Sequence, residues 1–240
     1  GRRRVGPRGS GSVVVIAATA LGAVAGLDRT AFGQTGLANP FVAACLSAWM
    51  AGAPVQGVWL GVALLLLSAP RIPVGERRIR DWTSAAVAAP WWAGPDAGAE
   101  RWALALLLSI ALAHLGGRVV DATRALVDRW VESWREGGRP GQGATPLHLR
   151  CTALQALRGA VVVGVAVPSG SLLLDGVAAR LPAAETAALA RLWELAPIAL
   201  LPLLWRFHGD LGRARQQWPG LVLGLVLGSV VLLLTAGVPA

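Results

Sequence analysis

The sequence has no lysine and no tyrosine, and only 15% of its 240 residues are charged. Ordinary soluble domains carry roughly 25% charged residues, so this chain is too poor in charge for a water-facing globule. The charges are also unevenly placed, because residues 30–70 and 216–240 contain none. A helix needs about 20 apolar residues to cross a bilayer core about 30 Å thick. The charge-free runs therefore predict helices that lie in a membrane.

Cysteine and histidine, which often serve as catalytic groups or metal ligands, are scarce. The two cysteines, Cys45 and Cys151, lie in apolar surroundings, and the three histidines are scattered without metal-ligand spacing. We expect packing roles for all five. The chain also has no phosphate-cradling loop and no nucleophile–base pair, so we expect no cofactor, no metal site and no enzymatic activity.

The formal net charge is +9, and every basic side chain is an arginine. A basic chain can bind nucleic acid, but here the arginines cluster at the ends of apolar segments. Arginines at those positions are typical of cytoplasmic flanks that face anionic lipid headgroups. We therefore predict a multi-pass protein of the plasma (inner) membrane that contacts the lipid bilayer and binds no nucleic acid.

The pattern predicts a basic tail at residues 1–12 and one membrane domain at residues 13–240. Residues 13–27 form the expected first helix, which is retained because no clean signal-peptide cleavage site follows it. Residues 30–70 would rise about 60 Å as a single helix, which is twice the bilayer core, so they must fold back. We place the turn at residues 52–54 (Gly-Ala-Pro) and the two arms at 37–51 and 55–67.

The remaining apolar segments are short or interrupted. A basic loop at 71–81 separates the hairpin from residues 83–92, which are too short to cross and are predicted to be re-entrant or buried. Further segments are expected at 102–117, at 151–174 with Pro168 breaking its end, at 181–205 with internal prolines, and at 221–238. Irregular backbone within a membrane is tolerated where it is buried in protein or lines a wet cavity, which favours a transport function.

Residues 118–136 have a different pattern, with apolar side chains at helical spacing and charged side chains on the opposite face. This is an amphipathic helix. It either lies in the membrane interface or extends the preceding span into water. The predicted fold class is thus all-α: a polytopic integral membrane protein with short, broken and re-entrant helices plus an amphipathic helix.

Three parts of the chain resemble the IIC subunit of the mannose/fructose/sorbose family of the phosphoenolpyruvate-dependent sugar phosphotransferase system. They are residues 27–35 and 39–44 (LDRTAFGQT and NPFVAA), residues 56–61 (QGVWLG), and residues 147–148 with 154–158 (LH and LQALR). The order and spacing of these motifs carry the resemblance, which extends over residues 13–238. It implies a permease subunit that forms a hexose-type sugar path with a IID partner, within an oligomer. It also implies that separate IIA and IIB proteins carry the phosphoryl group.

Four residues are candidates for binding sugar hydroxyls. Asp81 is the strongest, because an ionisable group within a membrane is costly unless it is paired or functional; a local salt bridge to a neighbouring arginine is the alternative. Glu76 is the second carboxylate, unless it is simply a solvated loop charge. Gln34 and Gln155 offer amide groups that could equally bond between helices. For Arg158 we expect snorkelling to the membrane surface or an ion pair with Asp28 or Glu194 rather than ligand contact.

The sequence departs from the family at two places. Leu65 lies where the family usually has a glutamate, and residues 71–80 are rich in arginine instead of Gly and Ala. Sugar sites need carboxylates and amides to pair with hydroxyls. The second hypothesis is therefore a degenerate IIC-like structural or regulatory subunit that no longer transports sugar.

Overall fold

The computed structural model describes residues 11–28, 36–68, 80–137 and 144–200. These residues form α-helices and no strand, which confirms the all-α prediction for this part of the chain. The helices are α1 (Gly11–Asp28), α2 (Pro40–Met50), α3 (Pro54–Ser68), α4 (Trp82–Ala93), α5 (Ala99–Glu136), α6 (Thr145–Ala178) and α7 (Ala183–Leu200).

Helices α1 and α6 pack with their backbones in close contact, because glycines face each other where the helices cross. A Cβ atom on Gly22 would lie 2.7 Å from the carbonyl oxygen of Gly159, and one on Gly26 would lie 2.6 Å from that of Gln155. A Cβ on Gly159 would clash with the Gly22 carbonyl oxygen. Small residues at such a crossing let two helices approach closely, so α1 and α6 form one tightly packed pair.

The charge-free run at residues 30–70 contains a helical hairpin, as predicted. Helix α2 starts with Asn39, whose side chain accepts a hydrogen bond from the Phe41 amide, and Pro40 occupies the first turn. Both features are typical of helix N-termini. The turn between α2 and α3 contains Gly52 at φ 81°, a conformation that glycine adopts without steric cost. The predicted turn at residues 52–54 is therefore confirmed.

Helix α4 lies at the centre of the described bundle. It has 12 residues, and all but Trp91 are buried. Its neighbours are α1, α2, α3, α5 and α6. At 1.5 Å per residue α4 is about 18 Å long, shorter than a bilayer core. The prediction of a short, buried piece at residues 83–92 is confirmed.

Helix α5 is continuous over 38 residues, although the sequence pattern predicted two elements at 102–117 and 118–136. The prediction of a separate amphipathic helix is therefore wrong, and the alternative of an extension from the preceding segment is correct. The junction contains Gly116 and Gly117, which are poor helix formers, but both are buried, so packing against neighbouring helices keeps α5 continuous there. At about 57 Å, α5 is much longer than the hydrocarbon core.

Helix α6 continues to Ala178 and does not end at Pro168, contrary to prediction. A proline removes one backbone hydrogen bond, but Val163, Val167 and Leu174 are buried on either side of it. Their burial holds the helix together through the proline. Helix α7 likewise contains Pro197. The predicted last segment at 221–238 and most of the basic tail and basic loop lie outside the described residues.

The contact between α1 and α6 gives the first testable prediction. Gly159→Ala should lower the free energy of unfolding by about 1–3 kcal/mol, the usual cost of overpacking, because the new methyl group meets the Gly22 carbonyl. The matched control is Gly176→Ala on the same helix, where a Cβ has no atom within 4 Å. Equal thermal unfolding temperatures for the two purified variants would contradict this packing.

Candidate functional site

Asp81 lies at the N-terminus of α4 and is 1% exposed. Its Oδ1 accepts a hydrogen bond from the Ser84 amide at 3.3 Å, and its Oδ2 accepts one from the Ser84 hydroxyl at 2.8 Å. Aspartate is a favoured N-cap because its carboxylate satisfies an amide that the helix itself cannot pair. Its negative charge also lies at the positive end of the helix dipole. Asp81 is therefore held in place by the helix it begins.

Arg158, on α6, places its guanidinium beside this carboxylate. The Nη1 atom of Arg158 lies 3.7 Å from Oδ2 of Asp81, and the two side chains are 4% and 1% exposed respectively. This distance is within the range of an ion pair but beyond that of a hydrogen bond. The Nε atom of Arg158 is buried and has no hydrogen-bond partner in the described part of the protein. We call Asp81, Ser84 and Arg158 the polar node.

Helix α5 closes the polar node on another side. The Asp81 amide donates to the carbonyl oxygen of Ala113 at 2.8 Å. Gly116 lies one turn further along, where a Cβ atom would be 2.9 Å from the Asp81 Cβ. A side chain at Gly116 would therefore push α5 away from the start of α4. The polar node thus lies where α4, α5 and α6 meet.

A second set of hydrogen bonds connects the start of α4 to the end of α1. The Thr83 hydroxyl donates to the carbonyl oxygen of Ala38 at 2.6 Å, and the Ala38 amide donates to Oδ2 of Asp28 at 2.8 Å. Asp28 ends α1 and is 3% exposed. A buried carboxylate requires such partners. Two buried acidic residues, Asp28 and Asp81, therefore belong to the same end of the described bundle.

The four predicted sugar-binding residues have different outcomes. Asp81 lies in the polar node, and Gln155 is half-buried on α6, three residues before Arg158. Residues three apart on a helix are neighbours on its surface, so Gln155 is next to Arg158 on α6. Gln34 and Glu76 lie outside the described residues. The structure therefore describes two of the four candidates, Asp81 at the start of α4 and Gln155 on α6.

Arg158 is the residue that sequence reasoning placed wrongly. Its ion pair is with Asp81, whereas we predicted Asp28 or Glu194 as its partner, and Glu194 is exposed on α7. Separations of 77 residues along the chain give no pairing signal. The role of Ser84 was also missed, because the only N-terminal signal in the sequence is the aspartate directly before an apolar helix.

A second charged contact joins α5 to the C-terminal part of α6. Arg101 bonds to Asp175 at 2.6 Å and also donates through Nε to the Trp92 carbonyl oxygen at 3.0 Å. Asp175 is 61% exposed, so water screens this pair. It provides a natural comparison for the buried pair. Within the described ranges, no three histidine, cysteine or acidic residues are grouped as a metal site would require.

The fold and the polar node define a structural class of protein and do not identify a family. The described residues are all-helical, α5 and α6 are long and apolar enough to cross a membrane, and a buried acid–arginine pair joins the start of α4 to α6. No protein-family model matches the sequence, and no curated protein sequence is significantly similar to it.

The buried ion pair gives the second prediction. Arg158→Gln should lower the free energy of unfolding by up to about 3–5 kcal/mol, because Asp81 stays buried without this counter-charge. Asp175→Asn, at the exposed pair, should change it by less than about 1 kcal/mol. The double variant Asp81→Asn/Arg158→Gln should lose less than the sum of its single variants. Strict additivity in denaturant titrations would show that the two side chains do not interact.

Proposed function

We propose that this protein is a multi-pass plasma-membrane subunit of a phosphotransferase-system sugar permease. It would be IIC-like and would form part of the sugar path together with a IID subunit. The observation that carries the proposal is the polar node: a charged pair buried at the start of a short helix that other helices surround. Ion pairs inside a membrane domain are costly and tend to mark substrate paths.

Membrane embedding is supported by the surface of α6. Leu157, Val161, Val165 and Leu172 recur along one face and are 52–74% exposed. Only 28% of the most apolar window of this helix is buried inside the protein. A soluble protein rarely exposes a continuous apolar stripe of this length, whereas lipid tails solvate it well.

The shortness of helices α2, α3 and α4 supports a role in transport. Helices α2, α3 and α4 have 11, 15 and 12 residues, too few to cross a bilayer core alone. Helix ends at membrane depth expose backbone groups that need polar partners, and substrate sites of transporters are commonly built from such ends. In α4 that partner is Asp81, the candidate for hydroxyl binding.

In the proposed permease, this chain would bind the sugar and other subunits would transfer the phosphoryl group. Recognition of a neutral sugar requires paired donors and acceptors, which Asp81, Arg158 and Gln155 offer. Phosphoryl transfer would take place on separate IIA and IIB proteins, as the family resemblance implies. The IIC-like chain would then move the sugar without forming a covalent bond to it.

A second candidate function is a degenerate IIC-like structural or regulatory subunit. Two observations favour it. Leu65 is half-buried on α3 where the family has a glutamate, and both carboxylate oxygens of Asp81 already accept bonds from Ser84. In this alternative the polar node stabilises the fold and the sugar site has been lost.

Sugar uptake tests the leading proposal. Vesicles that contain this chain and its IID subunit, supplied with IIA, IIB and phosphoenolpyruvate, should accumulate radiolabelled hexose. Asp81→Asn keeps an N-cap acceptor but removes the charge that polarises a sugar hydroxyl, so uptake should fall about tenfold or more. Asp175→Asn is the matched control and should transport normally. Absence of uptake for every hexose would remove the permease proposal.

The second candidate makes the opposite prediction at Leu65. If the site is degenerate, the natural chain binds no hexose, and Leu65→Glu restores binding by supplying the missing acceptor. Leu67→Glu, two residues away on the same helix and also half-buried, should restore nothing. Equilibrium binding of labelled hexose to the vesicles measures both variants, and tight binding by the unmodified chain would rule out the degenerate alternative.

A further inference from the structure

A shallow groove lies on the outside of the described bundle, between α5 and α7. Its volume is about 460 Å³, within the range of sites that hold small molecules. All but one of its lining side chains are aliphatic, and the exception is an acid; the set is Leu104, Leu181, Glu185, Ala188, Leu189 and Leu192. Ala188 lies between Glu185 and Leu192 on one face of α7, and its small side chain leaves the space open.

Two buried tryptophans hold the walls of the groove in place. Trp102 on α5 and Trp193 on α7 are 1% and 8% exposed, and their ring centroids lie 5.6 Å apart. Trp193 directly follows the lining residue Leu192, and Trp102 is two residues before the lining residue Leu104. A site whose walls are already fixed loses little entropy when a ligand enters it.

The apolar part of the groove suits a lipid chain better than it suits water. An ordered water needs about two to four polar partners, which aliphatic side chains do not offer, and an empty space forfeits dispersion contacts. The surface on both sides is apolar as well, because Leu107 on α5 and Leu195 on α7 are 45% and 57% exposed. In a membrane, lipid tails surround such a surface and are as apolar as leucine.

The groove changes from polar to apolar along α7. Near its start lie two exposed residues of opposite charge, Glu185 in the first turn of α7 and Arg180, which directly precedes the lining residue Leu181. Leu189 and Leu192 form the other end. The molecule that matches this order has a charged headgroup and an apolar chain, with a phosphate beside Arg180 and a cation beside Glu185.

Hydrogen bonding specifies the cation further. A carboxylate accepts bonds from N–H donors, and a primary ammonium group offers three of them, whereas a quaternary ammonium group has none. A headgroup without a cation would bring only its negative phosphate toward Glu185, and like charges repel. Phosphatidylethanolamine therefore fits the groove better than phosphatidylcholine or phosphatidylglycerol.

We propose that the groove between α5 and α7 binds a phospholipid with a primary ammonium headgroup. One acyl chain lies along Leu189 and Leu192, and the ammonium group donates to the Glu185 carboxylate. This inference rests on the membrane embedding in the proposed function and is independent of sugar transport. A lipid in this groove contacts both helices and so supports the attachment of α7 to α5.

The first test titrates dioleoyl phosphatidylethanolamine, phosphatidylcholine or phosphatidylglycerol onto the purified full chain in detergent, and native mass spectrometry measures the bound lipid. The natural chain should bind phosphatidylethanolamine about tenfold more tightly than either other lipid, because only its headgroup donates to a charged acceptor. Glu185→Gln keeps the size of the side chain but removes the charge, so this preference should be lost. The matched control Glu194→Gln, exposed on α7 but outside the groove, should keep it.

The second test fills the groove. Ala188→Phe places a ring where the acyl chain would lie and should weaken phosphatidylethanolamine binding about tenfold or more, because several methylene groups lose their contacts. Ala187→Phe adds the same ring outside the groove and should bind as the natural chain does. Both alanines are exposed, so both variants should fold, and equal thermal unfolding temperatures check this.

Three results would overturn the proposal. They are equal binding of the three lipids by the natural chain, a preference for phosphatidylethanolamine that survives in Glu185→Gln, and Ala188→Phe binding as well as Ala187→Phe. If the natural chain shows no preference and only Ala188→Phe lowers the unfolding temperature, another segment of the chain occupies the groove and the lipid proposal falls.

The lipid proposal and the permease proposal can fail separately. Lipid binding is measured without sugar, so a negative lipid result leaves hexose uptake untouched, and absent uptake leaves the lipid result untouched. If the purified chain is stable and monodisperse in buffer without detergent, the membrane embedding is wrong and both proposals fall.

Discussion

The fold depends on how a buried helix end is made compatible with an apolar interior. Helix α4 begins inside the bundle, where its first amides have no water to bond. The Asp81 carboxylate satisfies an amide of that first turn and introduces a charge, and Arg158 on a distant helix balances the charge. The buried amides require the Asp81 carboxylate, and the carboxylate requires Arg158. A buried polar group without a partner costs more than most packing interactions contribute.

Two kinds of contact hold the described helices together. Glycines bring α1 and α6 into backbone contact, which depends on shape and tolerates little movement. Polar contacts add to packing between that pair and α4: Asp81 faces Arg158, and the Trp92 ring nitrogen donates to the Ala166 carbonyl at 2.8 Å while the ring lies directly against Gly170. Close-packed contacts resist deformation, whereas polar contacts can exchange partners with a ligand.

The apolar character of the chain and the placement of its elements followed from composition and local pattern. The absence of charge at residues 30–70, the turn residues at 52–54 and the short apolar segment at 83–92 predicted the α2–α3 hairpin and α4 correctly. The predictions failed where local signals compete with packing. Pro168 does not end α6, and the change of polarity near residue 118 does not interrupt α5, since buried residues on both sides hold each helix continuous.

The sequence by itself determined that the protein is helical, too apolar for a charged surface, and provided with an acidic residue at the start of a short helix. These properties arise from side-chain composition and from hydrogen bonds between near neighbours, which residue order specifies directly. Only the tertiary structure decided that Arg158 pairs with Asp81 and that Gly116 allows α5 to approach it. Such partners are far apart in the chain and meet only because the helices cross at a particular height and angle, which packing of the whole bundle sets.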